Sequence, residues 1–267
     1  MKTIDALPDH SSAAKAPKVR AVPAVSRAIA ILRLLGRSSG PLPLKAIAES
    51  LDLVPSTCLH ILRALMEEKL VKVNAYSKRY SLDIGMLPLA RAVLEKSSFA
   101  ALVQVELERI SKKYGLTAIG VEALGLEHII VVALSRAPTL VGLHVDIGSR
   151  FPALISASGR CVAAFGDHTW DEIERRFRSL RWENAPEFEV WKKEVEQVKR
   201  EGYSMDRGNY INGVAIISVP ILDNNKHMSQ SIVVVGLTDQ INKSTALAIA
   251  NDMRVAADTI AQQLYSI

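Results

Sequence analysis

The stretch LKAIAESLDLVPSTCLHILRALMEEK, residues 44–69, decides the reading of the N-terminal third. Leu44, Ile47, Ala48 and Leu51 recur at helical spacing and predict a short helix over 44–51. Asp52-Leu53-Val54 is a tight connection. Pro55 then opens a second helix, at a position where its missing N–H leaves no bond unmade. Over 55–69, at ~100° per residue, Cys58, Ile61, Leu62, Leu65 and Met66 gather on one side, and Ser56, Leu59, His60, Arg63 and Glu67 on the other. Two short helices in this relation make a helix-turn-helix, whose second helix enters the DNA major groove by its N-terminal end. Ser56 and Thr57 there can donate to phosphates or bases, His60 and Arg63 can reach base edges or phosphates, and Leu59 can touch a thymine methyl. Taken alone, the same face fits a solvated side of any helical domain.

The flanking sequence narrows the choice. Upstream, VSRAIAILRLL (25–35) has apolar residues at helical spacing, with Ser26 and Arg27 in its first turn, and Gly36 to Pro41 ends it. Arg27 joins the candidates for DNA contact. Downstream, Leu70–Val73 and Tyr80–Leu82 are strand-like runs around the turn Asn74–Arg79. A hairpin at this place is the wing of a winged helix, and its tip carries Lys78 and Arg79, in reach of the DNA backbone or minor groove. Helix, helix, turn, helix and basic-tipped hairpin form a more specific order than any one of them.

Charge follows the same division. Residues 1–90 hold 13 Lys/Arg against 7 Asp/Glu, whereas the rest of the chain holds 20 against 21. A basic lobe beside a near-neutral one suggests that one end meets a polyanion. Residues 1–22, rich in Ala, Pro, Ser and Lys, read as a disordered leader without a signal-peptide core. Without that leader the lobe remains basic. No apolar run reaches the ~18 residues of a membrane span, so no membrane partner is expected. Cys58 and Cys161 stand far apart, which suits neither a disulfide framework nor a zinc site and fits buried thiols in a reducing cytoplasm.

Beyond residue 83 the pattern changes. Residues 84–97 are expected to form a connecting helix, disturbed by Pro88. Residues 98–267 then read as one larger domain: a helix over 99–114, strands over 117–123, 128–134 and 140–145, and a short helix over 159–165. Polar helices follow over 169–178 and 187–200, strands over 214–222 and 231–237, and a long helix over 243–265. This order predicts helices on an antiparallel sheet, giving an α+β protein whose winged helix-turn-helix occupies 23–83. No GxSxG, HExxH, P-loop or GxGxxG occurs, and the six His are scattered. No catalytic set, metal site or cofactor is therefore expected. The run ISASGRC (155–161) is a small-residue turn leading into a helix; its free N–H groups suit an anion, and it equally suits a plain capped helix with a tight packing contact.

In SRAIAILRLL (26–35), LKAIAESLDLVPSTCLHILRAL (44–65), YSLDIGMLPLA (80–90), IGSRFPALISASGR (147–160), GYSMD (202–206) and NGVAIISVPILD (212–223), the chain resembles the IclR family of regulators. His60 stands where that family commonly has Arg. The resemblance implies a C-terminal GAF-like α/β domain that binds a small effector, and a homodimer, or a dimer of dimers, on a double-stranded DNA operator. It also implies that the turn with Ser158, Gly159 and Arg160 lines the effector pocket, with Asp206 at an acidic position and Leu143, Val145, Ile147 and Ala153 along the opposite wall. Ile216 stands where the family often has Cys, and Val233 and Val235 where it has small hydroxyl residues. That floor suits an aromatic or aliphatic body with at most one polar end, such as an aromatic acid. A metabolite-binding module with a protein partner and a small-molecule enzyme remain as alternatives.

Overall fold

The computed structural model describes residues 22–96, 98–136 and 145–265. The expected leader (Val22 apart), Leu143 and most of the expected strand 140–145 lie outside the described residues. The chain forms two compact units that part at Arg91/Ala92.

The first unit holds α1 (Pro23–Arg37), β1 (Leu42–Pro43), α2 (Leu44–Ser50), α3 (Pro55–Glu67), β2 (Val71–Val73) and β3 (Arg79–Leu82), and α4 (Met86–Lys96) begins in it and runs past its boundary. Pro23 and Pro55 stand in the first turns of α1 and α3, where their fixed φ suits the helix. Ile31 and Leu35 of α1, Ile47 and Ala48 of α2, and Cys58, Leu62 and Leu65 of α3 close one core with Val71 and Tyr80. The apolar side read from the sequence is the buried side. Strand β1 was not anticipated. It pairs with β3 at Leu42↔Tyr80 and Pro43↔Arg79, and two residues are too short for a period-two pattern to show. Pro88 does not disturb α4. It sits in the first turn, where no intrahelical donor is lost.

In the second unit, a six-stranded antiparallel sheet has the order β6-β5-β4-β9-β8-β7. Its strands are β4 (Thr117–Leu124), β5 (His128–Ser135), β6 (Arg150–Pro152), β7 (Ser204–Arg207), β8 (Val214–Leu222) and β9 (Met228–Leu237). The helices are α5 (Ser98–Tyr114), α6 (Ser156–Phe165), α7 (Trp170–Phe177), α8 (Phe188–Glu201) and α9 (Lys243–Tyr265). Because strand side chains alternate, each central strand serves two cores. Ala215, Ile217, Val219, Ile232 and Val234 pack with α5 and α9. Val214, Ile216, Val233 and Val235 face the side of α6, α7 and α8. Among the strands, β6 and β7 were not anticipated; both are short edges with no alternating apolar run.

Candidate DNA-binding face and effector cavity

On α3 the first-turn Ser56 is exposed, as are His60 and Arg63, while Thr57 and Leu59 are half-buried. Cys58, Leu62 and Leu65 anchor the opposite side. The helix therefore presents two hydrogen-bonding side chains and an arginine along one open strip, with its N-terminus uncapped by any side chain. Arg27 is exposed on α1. In the hairpin, Asn74 Oδ1 accepts from the N–H groups of Tyr76 and Ser77, and Lys78 takes a left-handed conformation (φ 53°) to close the turn. Lys78 and Arg79 are both exposed. Arg79 also donates from Nη1 to the carbonyl of Pro41, the residue before β1, at 3.2 Å. Tyr76, 97% exposed at the tip, was missed in the sequence. An aromatic residue inside a polar turn was the available signal.

The second unit holds a cavity of about 160 Å³ on the α6 side of the sheet. Ile119 and Val121 of β4, Ile129 and Val131 of β5, and Ile216, Val233 and Val235 form its floor. The register explains the last three: Ile216 lies opposite Val235, and Val233 is two residues along the same face. Val145, Phe151, Ile155, Tyr210 and Ile211 close the sides, and Ser156 and Ser158 supply polar groups at the start of α6. Ser156 adopts φ 57°, a strained value for a residue with a Cβ, and no side chain caps α6.

Five residues expected at this site are placed otherwise. Ile147 is 53% exposed on a turn and is no part of the cavity lining. Ala153 is buried in the same core as the lining residues but does not itself line the cavity. Gly159 does not open an approach for a ligand: its N–H donates to the Ile155 carbonyl at 2.9 Å, and a Cβ there would lie 2.0 Å from Leu154 backbone. The glycine is required by packing. Arg160 and Asp206 lie behind the lining and are engaged with each other. Arg160, buried, donates to Glu194 (2.7 Å), the Ser156 carbonyl (3.0 Å), Asn209 Oδ1 (3.1 Å) and Asp206 (3.5 Å). Asp206 also accepts from the backbone N–H of Asn209 (3.0 Å) and Tyr210 (3.4 Å). Burial pushes the Asp206 carboxyl above the usual carboxylate range, against the opposing pull of Arg160 and those N–H groups. Phe151, Tyr210 and Ile211 were missed because they come from the β6 edge and the loop after β7, where sequence spacing carries no facing information.

Nucleophilic chemistry finds little support here. The Cys161 thiol is fully buried, and desolvation pushes its pKa up to about 12. Among the described residues no group of three His, Cys, Asp or Glu is arranged to hold a metal ion.

Residues 24–75 match the family model of the IclR helix-turn-helix domain, and residues 91–262 that of the bacterial transcriptional regulator IclR C-terminal domain. The glycerol operon regulatory protein of Streptomyces griseus is 24% identical over 251 residues, covering 92% of this chain and 97% of its own. The transcriptional repressor AllR of Salmonella typhimurium is 23% identical over 249 residues, covering 90% of this chain and 89% of its own. A solved IclR-type regulator from Alicyclobacillus acidocaldarius superposes with a TM-score of 0.80 at 24% identity, over 91% of this chain and 98% of that one. The IclR structure from Thermotoga maritima gives 0.69 at 19%, over 91% and 98%. With both of its units matched, and in this order, the chain belongs to the IclR family of transcriptional regulators.

Proposed function

We propose that this regulator binds an operator through α3 and the β2–β3 wing, and that a small, mostly apolar effector in the sheet cavity sets its affinity for that operator. The observation that carries the reading is the cavity itself. It is bounded by branched aliphatic and aromatic side chains, with two serines at one end. Its size is close to that of an apolar cavity of about 150 Å³ that accepts benzene. Ser158, Val145, Ile216, Val233 and Val235 are the expected residues that contact the effector. Arg27, Ser56, Thr57, Leu59, His60, Arg63, Lys78 and Arg79 are those that meet DNA. A ligand shifts such a system only by binding one of its arrangements more tightly than another.

The protein acts as a cytoplasmic homodimer, and pairs of dimers suit two adjacent operator sites. Val22, Val25 and Ile29 around α1, and Ile84, Leu87 and Leu89 at the start of α4, are all apolar and exposed, with no cover among the described residues. A two-fold dimer that buries them reads two half-sites related by the same axis. No helix among the described residues is long and apolar enough to cross a membrane.

The test uses a duplex selected from a random-sequence pool by the full-length protein. Arg63→Ala should weaken binding by about 1–3 kcal/mol and relax preference at one position, while Lys78→Ala with Arg79→Ala should mainly reduce the salt dependence. Unchanged affinity and unchanged salt slope in both folded variants would remove the winged helix as the DNA-reading element.

A further inference from the structure

The cavity has a chemical bias that its apolar lining alone does not reveal. Among the described residues no charged side chain lines it. The charges nearest the lining are already committed to one another. Arg160 is the cation on that side, held to the carbonyl of the lining residue Ser156. Three carboxylates accompany it. Asp206 and Glu194 both pair with Arg160, and Asp206 additionally accepts from the N–H of the lining residue Tyr210. Glu183 accepts from the Asn212 N–H at 2.5 Å, on the loop that supplies Tyr210 and Ile211. Burial, and after it the negative charge of Glu183, raises the Tyr210 phenol above its ordinary value. At the other side, Arg136 donates to the Val145 carbonyl at 2.7 Å but is paired with Asp146. Both guanidiniums are thus already answered by carboxylates, while Glu183 is exposed and Glu194 partly so, where solvent screens them.

We infer that the cavity selects an uncharged effector, because Arg160 and Arg136, which bond its lining from behind, are already paired with carboxylates and form no socket for an anion. This inference rests on reading the cavity as the effector site. An ionised carboxylate placed there would leave water and meet only hydroxyls and the helix end, with no cation in the lining. A buried cation would find no carboxylate in the lining. A neutral ring or short branched chain carrying an alcohol, phenol or amide meets neither penalty, and Ser156, Ser158 and Tyr210 give its polar end neutral partners. The aromatic acid expected from the sequence is replaced by its uncharged counterparts.

The test is calorimetry at pH 7 on the full-length protein with benzamide and benzoate, which share a shape and differ in charge, and with benzene as an apolar probe. Benzamide should bind at least tenfold more tightly than benzoate. In Glu183→Gln with Glu194→Gln, each remote from direct ligand contact, that gap should narrow at least threefold with benzamide affinity kept. Benzoate binding as tightly as benzamide, or a gap untouched by the double variant, would overturn the inference. So would benzene binding with neither polar probe bound, and in that case the cavity would still stand as the ligand site. If none of the three binds, the reading of the cavity fails and the inference falls with it.

Discussion

The two faces of the six-stranded sheet are made by alternate residues of the same strands and reach different ends. On one face Ala215, Ile217, Val219, Ile232 and Val234 meet α5 and α9, whose Val103, Leu107, Ile249 and Met253 fill the centre of a core that borders an open groove at its rim, along Val219 and Ala257. On the other, Ile216, Val233 and Val235 meet α6 and two loops that do not fill the space above them. Burial does not tell the faces apart: Val233 and Val235 are as enclosed as ordinary core. What differs is the cover. The long helix α9 presents Ala246, Ala250, Ala256 and Ala257 and can approach closely along its length, whereas the cover of the second face includes a short helix fixed at one point by Gly159. A ligand wall and a core wall can share one chemistry and differ only in what lies opposite.

The largest expected effect lies at that fixed point. Gly159→Ala should cost about 3 kcal/mol or more, because the added Cβ meets Leu154 backbone that cannot yield as a flexible side chain would. Urea denaturation measures it. A loss under 1 kcal/mol would mean that α6 is free to shift and that the open face is not rigidly held.

A smaller and sharper contrast comes from adjacent valines. Val234→Ala removes contacts on all sides in a closed core and should cost about 2–3 kcal/mol, while Val233→Ala enlarges an existing cavity and should cost about 1 kcal/mol. Equal losses in the two variants would erase the distinction between the faces.

The smallest effect is a difference in pH response. On the closed side, hydrogen bonds from Lys113 (2.6 Å) and Tyr114 (2.8 Å), with Arg109 nearby, hold the Asp252 carboxyl below its ordinary value near 3.8. That contribution is present above the ordinary value and is lost as pH falls through the depressed one. On the open side, the raised Asp206 carboxyl has the opposite sign: its contribution is present below 3.8 and is lost as pH rises through the raised value. Asp252→Asn should therefore cost about 1 kcal/mol or less at pH 7, given its partial exposure, and progressively less as pH falls below 3.8. A cost that does not shrink as pH falls would show that packing, not charge, is at work.

The sequence carried the periodic parts of this fold well. The apolar side of α3 and the long α9 follow from the spacing a helix imposes on a buried face, and β8 shows as a nearly continuous apolar run because both of its faces are buried. It carried short pairings poorly, since β1, β6 and β7 have too few residues to show a period. At the site, Ile216, Val233 and Val235 were legible because strand parity places them on one face. Arg160 and Asp206 were assigned to the effector by likeness to relatives, and only three-dimensional neighbours show that Asp206 is already answered by a guanidinium and two backbone N–H groups. Gly159 was read as an opening because a glycine in sequence does not say whether ligand or backbone fills the place of its missing side chain.

The central claim is that the α6 face of the sheet, and not the α9 face, receives a ligand. Methyl spectra of isoleucine- and valine-labelled protein during a benzene titration test it directly. The account expects saturable shifts for Ile216, Val233 and Val235, with Ile217, Ile232 and Val234 unmoved. Saturable shifts confined to Ile217, Ile232 and Val234, or none on either face, would contradict it.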